Sequence, residues 1–541
     1  MRLFASAATP TLPLPHGGVL VGQLFDRAGV AILGDSQLPA LADAAHLRRH
    51  ILRHCWGDYI LVQPSPDRCG HTITRSPSVS GALACIYIWR DGAGCVASHV
   101  ALANDFGAYR RCIDWDYLAQ FLRYPYLRTE RTALAGISEV LPGMLLHLRR
   151  SDAIGEPGWS PWEHVAPTTR YTDLQEAADA VRHAVETAVR AYAAVDRSVL
   201  LELSGGLDSS IVAACLRDSA ATITCSTLVT AVPGGDERSY ARLVAADLHA
   251  PLRSEMLPIA SCAFRFDDPA DPVRPSVGPL QYAIDTAMAA AGDACMANSA
   301  FSGAGGDTVF GYLRTAAPAV DAFKERGVAA GLRTVRDLAD LHQCTVWRAL
   351  QLTLRKRLRR PQAAYRTDPS FLVPSAASHA PLQHPWLQAP ADALPGDRER
   401  IFELAGNQIF MDYAPRRHRR LLRMPLLAQP VVEACLHVPS WMWIAGGHHR
   451  AVARAAFADC LPAAVLARRS KGTFIAYLGE AYQRNKLQML EFLLSGQLCA
   501  RGMLDPDALT RFVQTHLPQR DWSFLRILDL CRVENWIHQQ N

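Results

Sequence analysis

The sequence of 541 residues contains no apolar run that approaches the ~18 residues of a membrane-spanning helix, so we expect no such helix. Its 14 cysteines include no Cys-x-x-Cys pair and no zinc-finger spacing, which favours buried thiols in a reducing compartment. Basic and acidic residues are nearly balanced, at 56 and 51, which excludes nucleic-acid binding through overall charge. The N-terminal stretch lacks the pattern of a secretory signal, so a cytoplasmic location is expected.

Internal repeats and low-complexity tracts are also absent from the chain. Hydrophobic residues make up 49% of the sequence and charged residues 20%, which is typical of a globular protein. Because single hydrophobic cores stop growing near ~250 to 300 residues, the length predicts two or more domains.

The first 160 residues are predicted to be β-rich. Short β-branched and aromatic runs, such as "GDYILVQ" and "ALACIYIW", alternate with Gly, Pro, Ser and Asp. Residues 155–169 have the prolines and polar residues of a linker. We therefore expect one domain over residues 1–160 and a second over residues 170–541.

After the linker the hydrophobic pattern takes on a helical period. A helix is predicted to begin there, with Thr172 and Gln175 forming a capping box. The apolar strand "SVLLEL", a glycine-rich loop, the helix "SSIVAACLR" and further strands and helices follow in alternation. This alternation predicts a doubly wound parallel sheet, and a mainly helical part is expected from about residue 319. The expected fold class is α/β and α+β.

The loop "SGGLDSS" follows the first predicted strand of that sheet, at the end where parallel sheets bind ligands. Gly205 and Gly206 allow backbone N–H groups to approach an anion, and Ser204 and Ser209 offer hydroxyls. These features indicate a pyrophosphate cradle, although a glycine-rich turn of purely structural use remains the alternative. Asp208 would repel phosphates unless a divalent cation lay between them.

This loop resembles the SGG-[LIV]-DSS signature of the ATP pyrophosphatase (PP-loop) superfamily, whose members split ATP into AMP and pyrophosphate to adenylate a carboxylate or amide oxygen. The segment "FSGAGGDTVFGY", residues 301–312, resembles the asparagine-synthetase-like branch, as do "RLLRMPLL" and "LPAAVLARRSKGTF". In the first domain, "WGDYILV", "RSPSVSGALACIYI" and "GISEVLPGMLLHL" are similar to segments of class II glutaminases. The resemblance implies a degenerate glutaminase-like β-sandwich of the Ntn type before an ATP-dependent synthetase domain.

The resemblance also implies ATP and Mg²⁺ as cofactors and assigns roles to residues. Asp307 is expected to share Mg²⁺ with Asp208, and Lys471 to stabilise negative charge at the reacting centre. Alternatively, Asp307 is a solvated turn residue and Lys471 is an exposed loop residue. Arg469 is a weaker candidate for the role of Lys471. Leu228 is expected to pack on adenine or, alternatively, in the core. The expected nucleotide-binding residues are Ser204, Gly205, Gly206, Leu207, Asp208, Ser209, Leu228, Ser302 and Gly303.

Three positions depart from the family pattern. Glutamine-dependent members have a cysteine after the initiator methionine, where this sequence has Arg2, so glutamine hydrolysis is not expected. Ala304 stands where asparagine synthetases have Glu and β-lactam synthetases have a catalytic Tyr, and Thr308 replaces an acid. A small side chain at 304 removes a general base and makes room for a larger nucleophile.

With these departures the chain looks most like the lasso-peptide macrolactam cyclases. The resemblance implies that an Asp or Glu side chain of a leaderless precursor peptide is adenylated and attacked by the peptide's own N-terminal amine. The expected partners are this peptide and a maturation protease or leader-binding protein, with no nucleic acid and no membrane. A small-molecule amide or β-lactam synthetase, and a non-catalytic sensor of nucleotide or peptide, remain alternatives.

The sequence leaves the general base unassigned. Glu403, Asp412 and Tyr413 are candidates. Alternatively, and more commonly for such residues, each is a solvated or core residue of a helix with no catalytic role. The basic run at residues 416–423 is expected to form a solvated helix face or, alternatively, to face phosphates or an acidic peptide. The adjacent histidines in "GGHHR", residues 446–450, would point apart on a helix, so no zinc site is expected there.

Overall fold

The computed structural model describes most of the chain. The described residues are 9–65, 70–79, 83–125, 127–232, 235–267, 272–312, 314–359, 367–374, 383–408, 420–468, 472–518 and 521–540. Within these ranges, none of the helices combines the length and the apolar character needed to cross a bilayer.

The N-terminal part is built from antiparallel strands, which confirms the expected β-rich character. Its strands are β1 Thr11–Pro13, β2 Val19–Gly22, β3 Phe25–Asp26, β4 Cys55–Trp56, β5 Tyr59–Pro64, β6 His71–Arg75, β7 Ile86–Arg90, β8 Ala93–Ala97, β9 Ser138–Glu139, β10 Met144–Leu148 and β11 Ala153–Pro157. Three helices accompany them: α1 Ala44–His54, α2 Val100–Asp105 and α3 Trp115–Arg123. The strands form a six-stranded sheet in the order β1-β2-β5-β6-β10-β11, a three-stranded sheet in the order β8-β7-β9, and the pair β3-β4.

Alternating side chains place two cores on opposite faces of the six-stranded sheet. Ile73 and Leu146 lie in a core that they share with Tyr87 of the three-stranded sheet, so these two sheets pack against each other. Leu61 lies in the other core, together with Ile51 of α1. The likeness of this part to a class II glutaminase, and to the Ntn fold, stays a prediction.

The second part contains the expected parallel sheet. Its strands are β12 Ser198–Glu202, β13 Thr222–Val229, β14 Leu252–Met256, β15 Ser299–Phe301 and β16 Leu421–Arg423, and the short pair β17 Ile444–Ala445 and β18 His448–His449 lies outside it. Every pairing in the sheet is parallel, in the order β14-β13-β12-β15-β16. This order is that of a doubly wound sheet. β13 and β14 are added on one side of β12, and β15 and β16 on the other, so the strand order switches between β12 and β15.

Helices dominate the rest of the second part. They are α4 Leu174–Asp196, α5 Leu207–Leu216, α6 Arg238–Asp247, α7 Pro279–Ala294, α8 Gly306–Val309, α9 Ala317–His342, α10 Val346–Leu358, α11 Pro395–Gly406, α12 Gln429–His437, α13 Ala451–Ala456, α14 Ala463–Ala467, α15 Ile475–Leu494, α16 Gln497–Ala500, α17 Pro506–Gln514 and α18 Leu525–Gln539. The predicted capping box at the start of α4 is wrong by one position. Asp173 is the N-cap, and its carboxylate accepts hydrogen bonds from the backbone N–H groups of Gln175 and Glu176.

Arg423 connects the two parts of the molecule. It is 2% exposed in β16, and its guanidinium donates to Asp196 at 2.8 and 2.9 Å and reaches Asp58 of the N-terminal part at 3.4 Å. Arg420, also buried, pairs with Asp293. The expectation of a solvated or phosphate-facing helix is therefore wrong for this end of the basic run. Residues 421–423 supply the fifth strand of the sheet, and the two described arginines at this end, Arg420 and Arg423, are buried and paired with carboxylates. Residues 416–419 of the run lie outside the described residues.

Candidate active site

The two acid-bearing loops lie at the switch point of the parallel sheet. The loop with Asp208 follows β12 and the loop with Asp307 follows β15, and these two strands are hydrogen-bonded neighbours. Ligands of doubly wound sheets bind in the crevice at this point, beyond the carboxyl ends of the strands. Both acids were predicted from the sequence to follow strand ends, and the structure brings them together.

The first loop closes on itself through its serines. The backbone N–H of Ser204 donates to the Ser209 hydroxyl at 3.3 Å, and the Gly206 N–H donates to the Ser204 hydroxyl at 3.2 Å. Gly205 has φ +67°, and a Cβ there would lie 2.4 Å from Cβ of Tyr240, so only glycine fits. α5 begins directly after Gly206, which has no side chain to cap it. The N–H groups and dipole of its first turn therefore point to an anion site, with Leu207 buried beneath it.

The second loop packs directly on the first. A Cβ at Gly303 would lie 2.6 Å from the backbone N of Ser209, and a Cβ at Gly306 would lie 2.4 Å from Cγ of Asp208. Ser302 is buried at the end of β15, where its N–H donates to the Arg423 carbonyl at 2.9 Å. The glycines at both contact points thus let the two loops interlock.

Ala304 lies between those two contact points. Its N–H donates to the Ser302 hydroxyl at 3.3 Å, and its methyl group packs at the edge of the main core. Position 304, expected from the resemblance to carry an acid or a tyrosine in related synthetases, therefore adjoins the first loop, but Ala304 offers no group that accepts a proton.

Arg450 joins the two acids, and the sequence analysis missed it. Its guanidinium reaches Asp208 at 3.1 Å through Nη1 and binds Asp307 through Nη2. The histidines before it are not helical: β17 and β18 form a hairpin whose turn residues, Gly446 and Gly447, both have positive φ. In the sequence, "GGHHR" suggested only a zinc site, which was not expected to form. The signal that could have found Arg450 is electrostatic, because two adjacent carboxylates require a nearby cation.

An aromatic ring packs against the Arg450 side chain. Its guanidinium carbon lies 5.1 Å from the centre of the Tyr312 ring, within the range of a cation–π contact. The His449 ring packs nearly perpendicular to the Tyr312 ring, with 4.3 Å between the ring centres. Burial, with Arg454 nearby, lowers the pKa of His449 to about 4, so His449 is neutral at physiological pH.

The acid pair is suited to Mg²⁺. Asp208 and Asp307 already converge on one cation, the Arg450 guanidinium, and carboxylate oxygens are the ligands that Mg²⁺ prefers. No cluster of three or more His, Cys, Asp or Glu side chains arranged to hold a metal occurs among the described residues. Such a two-carboxylate site fits Mg²⁺ that takes its remaining ligands from water and from substrate phosphates, as is usual in nucleotide enzymes.

Lys471 and Arg469 lie outside the described residues, and so do Asp412 and Tyr413. The described neighbours of Lys471 are anchored near the first loop: Arg468 pairs with Glu237, and the Gly472 N–H donates to the same carboxylate at 2.9 Å. Arg468 also donates to the Gly205 carbonyl at 3.3 Å. Arg468 and Gly472, the described residues on either side of residues 469–471, therefore both contact Glu237, next to the first loop.

The remaining predicted residues divide between core and surface. Leu228 is partly buried on β13 and packs beside a small core of Leu200, Met288 and Ala291. This position agrees with the alternative that Leu228 is a core residue. Its role toward adenine stays a prediction. Glu403 is exposed on α11, and Thr308 is partly buried on α8.

A family model described as asparagine synthase matches residues 180–538 of the chain. The match begins within α4 and ends within α18, so it includes all five strands of the parallel sheet and both acid-bearing loops. The search of curated proteins found no match.

Proposed function

Because the chain belongs to the asparagine synthase family, whose members are ATP-dependent ligases that form amide bonds and release AMP and pyrophosphate, we propose that it is a macrolactam cyclase of the lasso-peptide type. The side-chain carboxylate of an Asp or Glu in a leaderless precursor peptide attacks the α-phosphorus of ATP, and pyrophosphate leaves. The N-terminal amine of the same peptide then attacks the acyl carbon. The C–N bond forms, the bond to AMP breaks, the amine loses a proton, and the ring closes through an isopeptide bond.

The observation that carries this proposal is the side chain at position 304. An alanine stands beside the predicted nucleotide site, within a loop that packs on the Ser209 backbone and the Asp208 side chain. An enzyme that captures free ammonia, or that deprotonates an amine within a small substrate, benefits from an acid-base group at this place. A bulky amine delivered by the substrate itself needs space there.

The residues of the chain supply binding and charge. The first turn of α5 and the loop hydroxyls bind the phosphates, and Asp208 and Asp307 would hold Mg²⁺. That ion would neutralise the charge of the departing pyrophosphate. Lys471, as expected from the resemblance, would stabilise negative charge at the acyl centre, a contribution worth about 3 kcal/mol for a well-placed donor.

A cavity beside the linker supports a peptide substrate. It has a volume of about 570 Å³, within the range of ligand pockets, and lies between the linker, α9 and α11. Trp162, Tyr171 and Trp441 line it. Its charged lining residues are of both signs: Arg170, Lys324, Glu325, Arg326, Asp392 and Asp397. Aromatic walls with charged groups of both signs suit a segment of peptide, which offers apolar side chains together with polar and charged groups.

The proposal is tested with purified protein, ATP, Mg²⁺ and a leaderless peptide that has an N-terminal glycine and one internal Asp. Macrolactam formation removes one water from the peptide, so mass spectrometry is expected to show that loss together with one AMP per peptide. A peptide with Asn in place of that Asp is the matched control and should give neither product.

The other candidates predict different outcomes in the same assay. Pyrophosphate exchange with small carboxylic acids but no cyclised peptide would favour a small-molecule amide or β-lactam synthetase. Binding of ATP without AMP formation, for any substrate tried, would favour a sensor. A maturation protease or leader-binding protein is the proposed partner, and its addition should raise the yield from a full-length precursor.

A further inference from the structure

We infer that Arg450 occupies the place of the metal in the nucleotide-free enzyme and releases the acid pair to Mg²⁺ only when the phosphates of ATP take over its charge. Arg450 is thus a positioning residue that makes metal binding depend on nucleotide. The inference rests on the family's ATP chemistry and not on the identity of the amine.

The backbone fixes Arg450 in this position. It lies between β18 and α13 in the left-handed conformation, with φ +60° and ψ +34°, which is uncommon for a residue with a side chain. The hairpin turn at Gly446 and Gly447 sets the direction from which the chain arrives. Arg450 is 5% exposed, and the Tyr312 ring packs against its guanidinium. The backbone conformation and the Tyr312 ring together hold the Arg450 guanidinium against Asp208 and Asp307.

The contacts explain why a metal and Arg450 compete. Nη1 reaches Asp208 and Nη2 binds Asp307, so one planar fork spans the same two carboxylates that a divalent ion would bridge. The side chain of Asp208 is 13% exposed, whereas that of Asp307 is 42% exposed. A metal that enters from solvent therefore meets Asp307 first but must displace the guanidinium to reach Asp208.

ATP offers the guanidinium a replacement partner. Arginine binds phosphate oxygens as readily as carboxylates and through the same paired geometry. A triphosphate at the N-terminus of α5 lies next to Asp208, which is in the first turn of that helix. If the guanidinium turns to the phosphates, both carboxylates become available to Mg²⁺, and the ion arrives together with the group whose charge it neutralises.

The test measures Mn²⁺ binding by electron paramagnetic resonance, without any peptide. For the wild-type protein we expect weak binding of Mn²⁺ alone and about tenfold tighter binding with a non-hydrolysable ATP analogue, within the usual range for coupled sites. Arg450→Gln should bind Mn²⁺ tightly without nucleotide and lose most of the coupling. Arg253→Ala, which removes an exposed arginine paired with Glu255, is the matched control and should behave as wild type.

Further variants separate the inference from a folding defect. Arg450→Lys keeps one charge but cannot span both acids, so its Mn²⁺ affinity without nucleotide should lie between those of wild type and Arg450→Gln. Adding Asp208→Asn to Arg450→Gln should abolish the gain, which locates the ion at the acid pair. The inference is overturned if Arg450→Gln and Arg450→Lys, with wild-type circular dichroism, bind Mn²⁺ no more tightly than wild type. Because no peptide is present, failure of the cyclase proposal would leave this result unchanged.

Discussion

Replacing Gly306 with alanine should disable the site while the fold remains intact. Gly306 begins α8, one residue before Asp307, and its Cα faces the side chain of Asp208. A Cβ there would lie 2.4 Å from Cγ and 2.8 Å from Oδ1 of Asp208, whereas ordinary contacts begin near 3.4 Å. The same Cβ would lie 2.6 Å from Cβ of Asp208, so the whole side chain, together with its backbone, must move by about 1 Å. A misplacement of this size costs roughly 10²-fold in rate. The extra methyl group should also cost about 1–3 kcal/mol of stability.

The assay measures the rate of pyrophosphate release with saturating ATP and peptide, and the free energy of unfolding in urea. Gly406→Ala is the matched control, because Gly406 ends α11 and a Cβ there meets nothing within 4 Å. This control should keep the wild-type rate and the wild-type stability or slightly more. A Gly306→Ala protein that is folded and releases pyrophosphate at the wild-type rate would refute the assignment of Asp208 to the reacting site.

Three further predictions concern the buried contact between the N-terminal and second parts, a buried acid and position 304. Arg423→Ala should lower the free energy of unfolding by about 3–5 kcal/mol, because it leaves buried Asp196 and Asp58 without their cation; a loss below ~1 kcal/mol in urea would contradict this. Burial raises the pKa of Asp321 well above its ordinary 3.8, so the folded state binds this proton more tightly than the unfolded chain, and stability falls as pH rises above about 4. Asp321→Asn should therefore be more stable than wild type at neutral pH, and an unchanged pH dependence of urea unfolding would count against it. Ala304→Glu should slow macrocyclisation far more than Ala304→Ser, measured by mass spectrometry, and equal rates would show that position 304 does not adjoin the amine.

Local pattern and family resemblance together were enough to predict the parallel sheet and its acids. The segment "SVLLEL" has an apolar centre, Val199–Leu201, as a strand buried on both faces requires, and β12 forms there with these three residues fully buried. Because the carboxyl ends of parallel strands meet at one edge, Asp208 and Asp307 could be expected to lie close together. The strand order, with β15 beside β12, is what makes them neighbours.

Features that depend on distant contacts could not be predicted in the same way. Arg450 lies 242 residues after Asp208, and nothing in its local sequence indicates a buried ion pair. β16 has only three residues, ends in Arg423 and lies within a run of basic residues. The sequence pattern therefore did not indicate this edge strand of the sheet. At the start of α4, Thr172 and Asp173 are both good N-cap residues, and sequence alone does not decide between neighbours.

The most direct test of the proposed reaction follows an oxygen atom. The side-chain carboxylate of the precursor peptide is labelled with heavy oxygen, and AMP and peptide are examined by mass spectrometry after reaction with ATP. Attack of the carboxylate on the α-phosphorus, followed by amide formation, predicts that each AMP carries one labelled oxygen and that the cyclised peptide keeps the other. Unlabelled AMP, or labelled AMP formed without any cyclised peptide, would contradict the account.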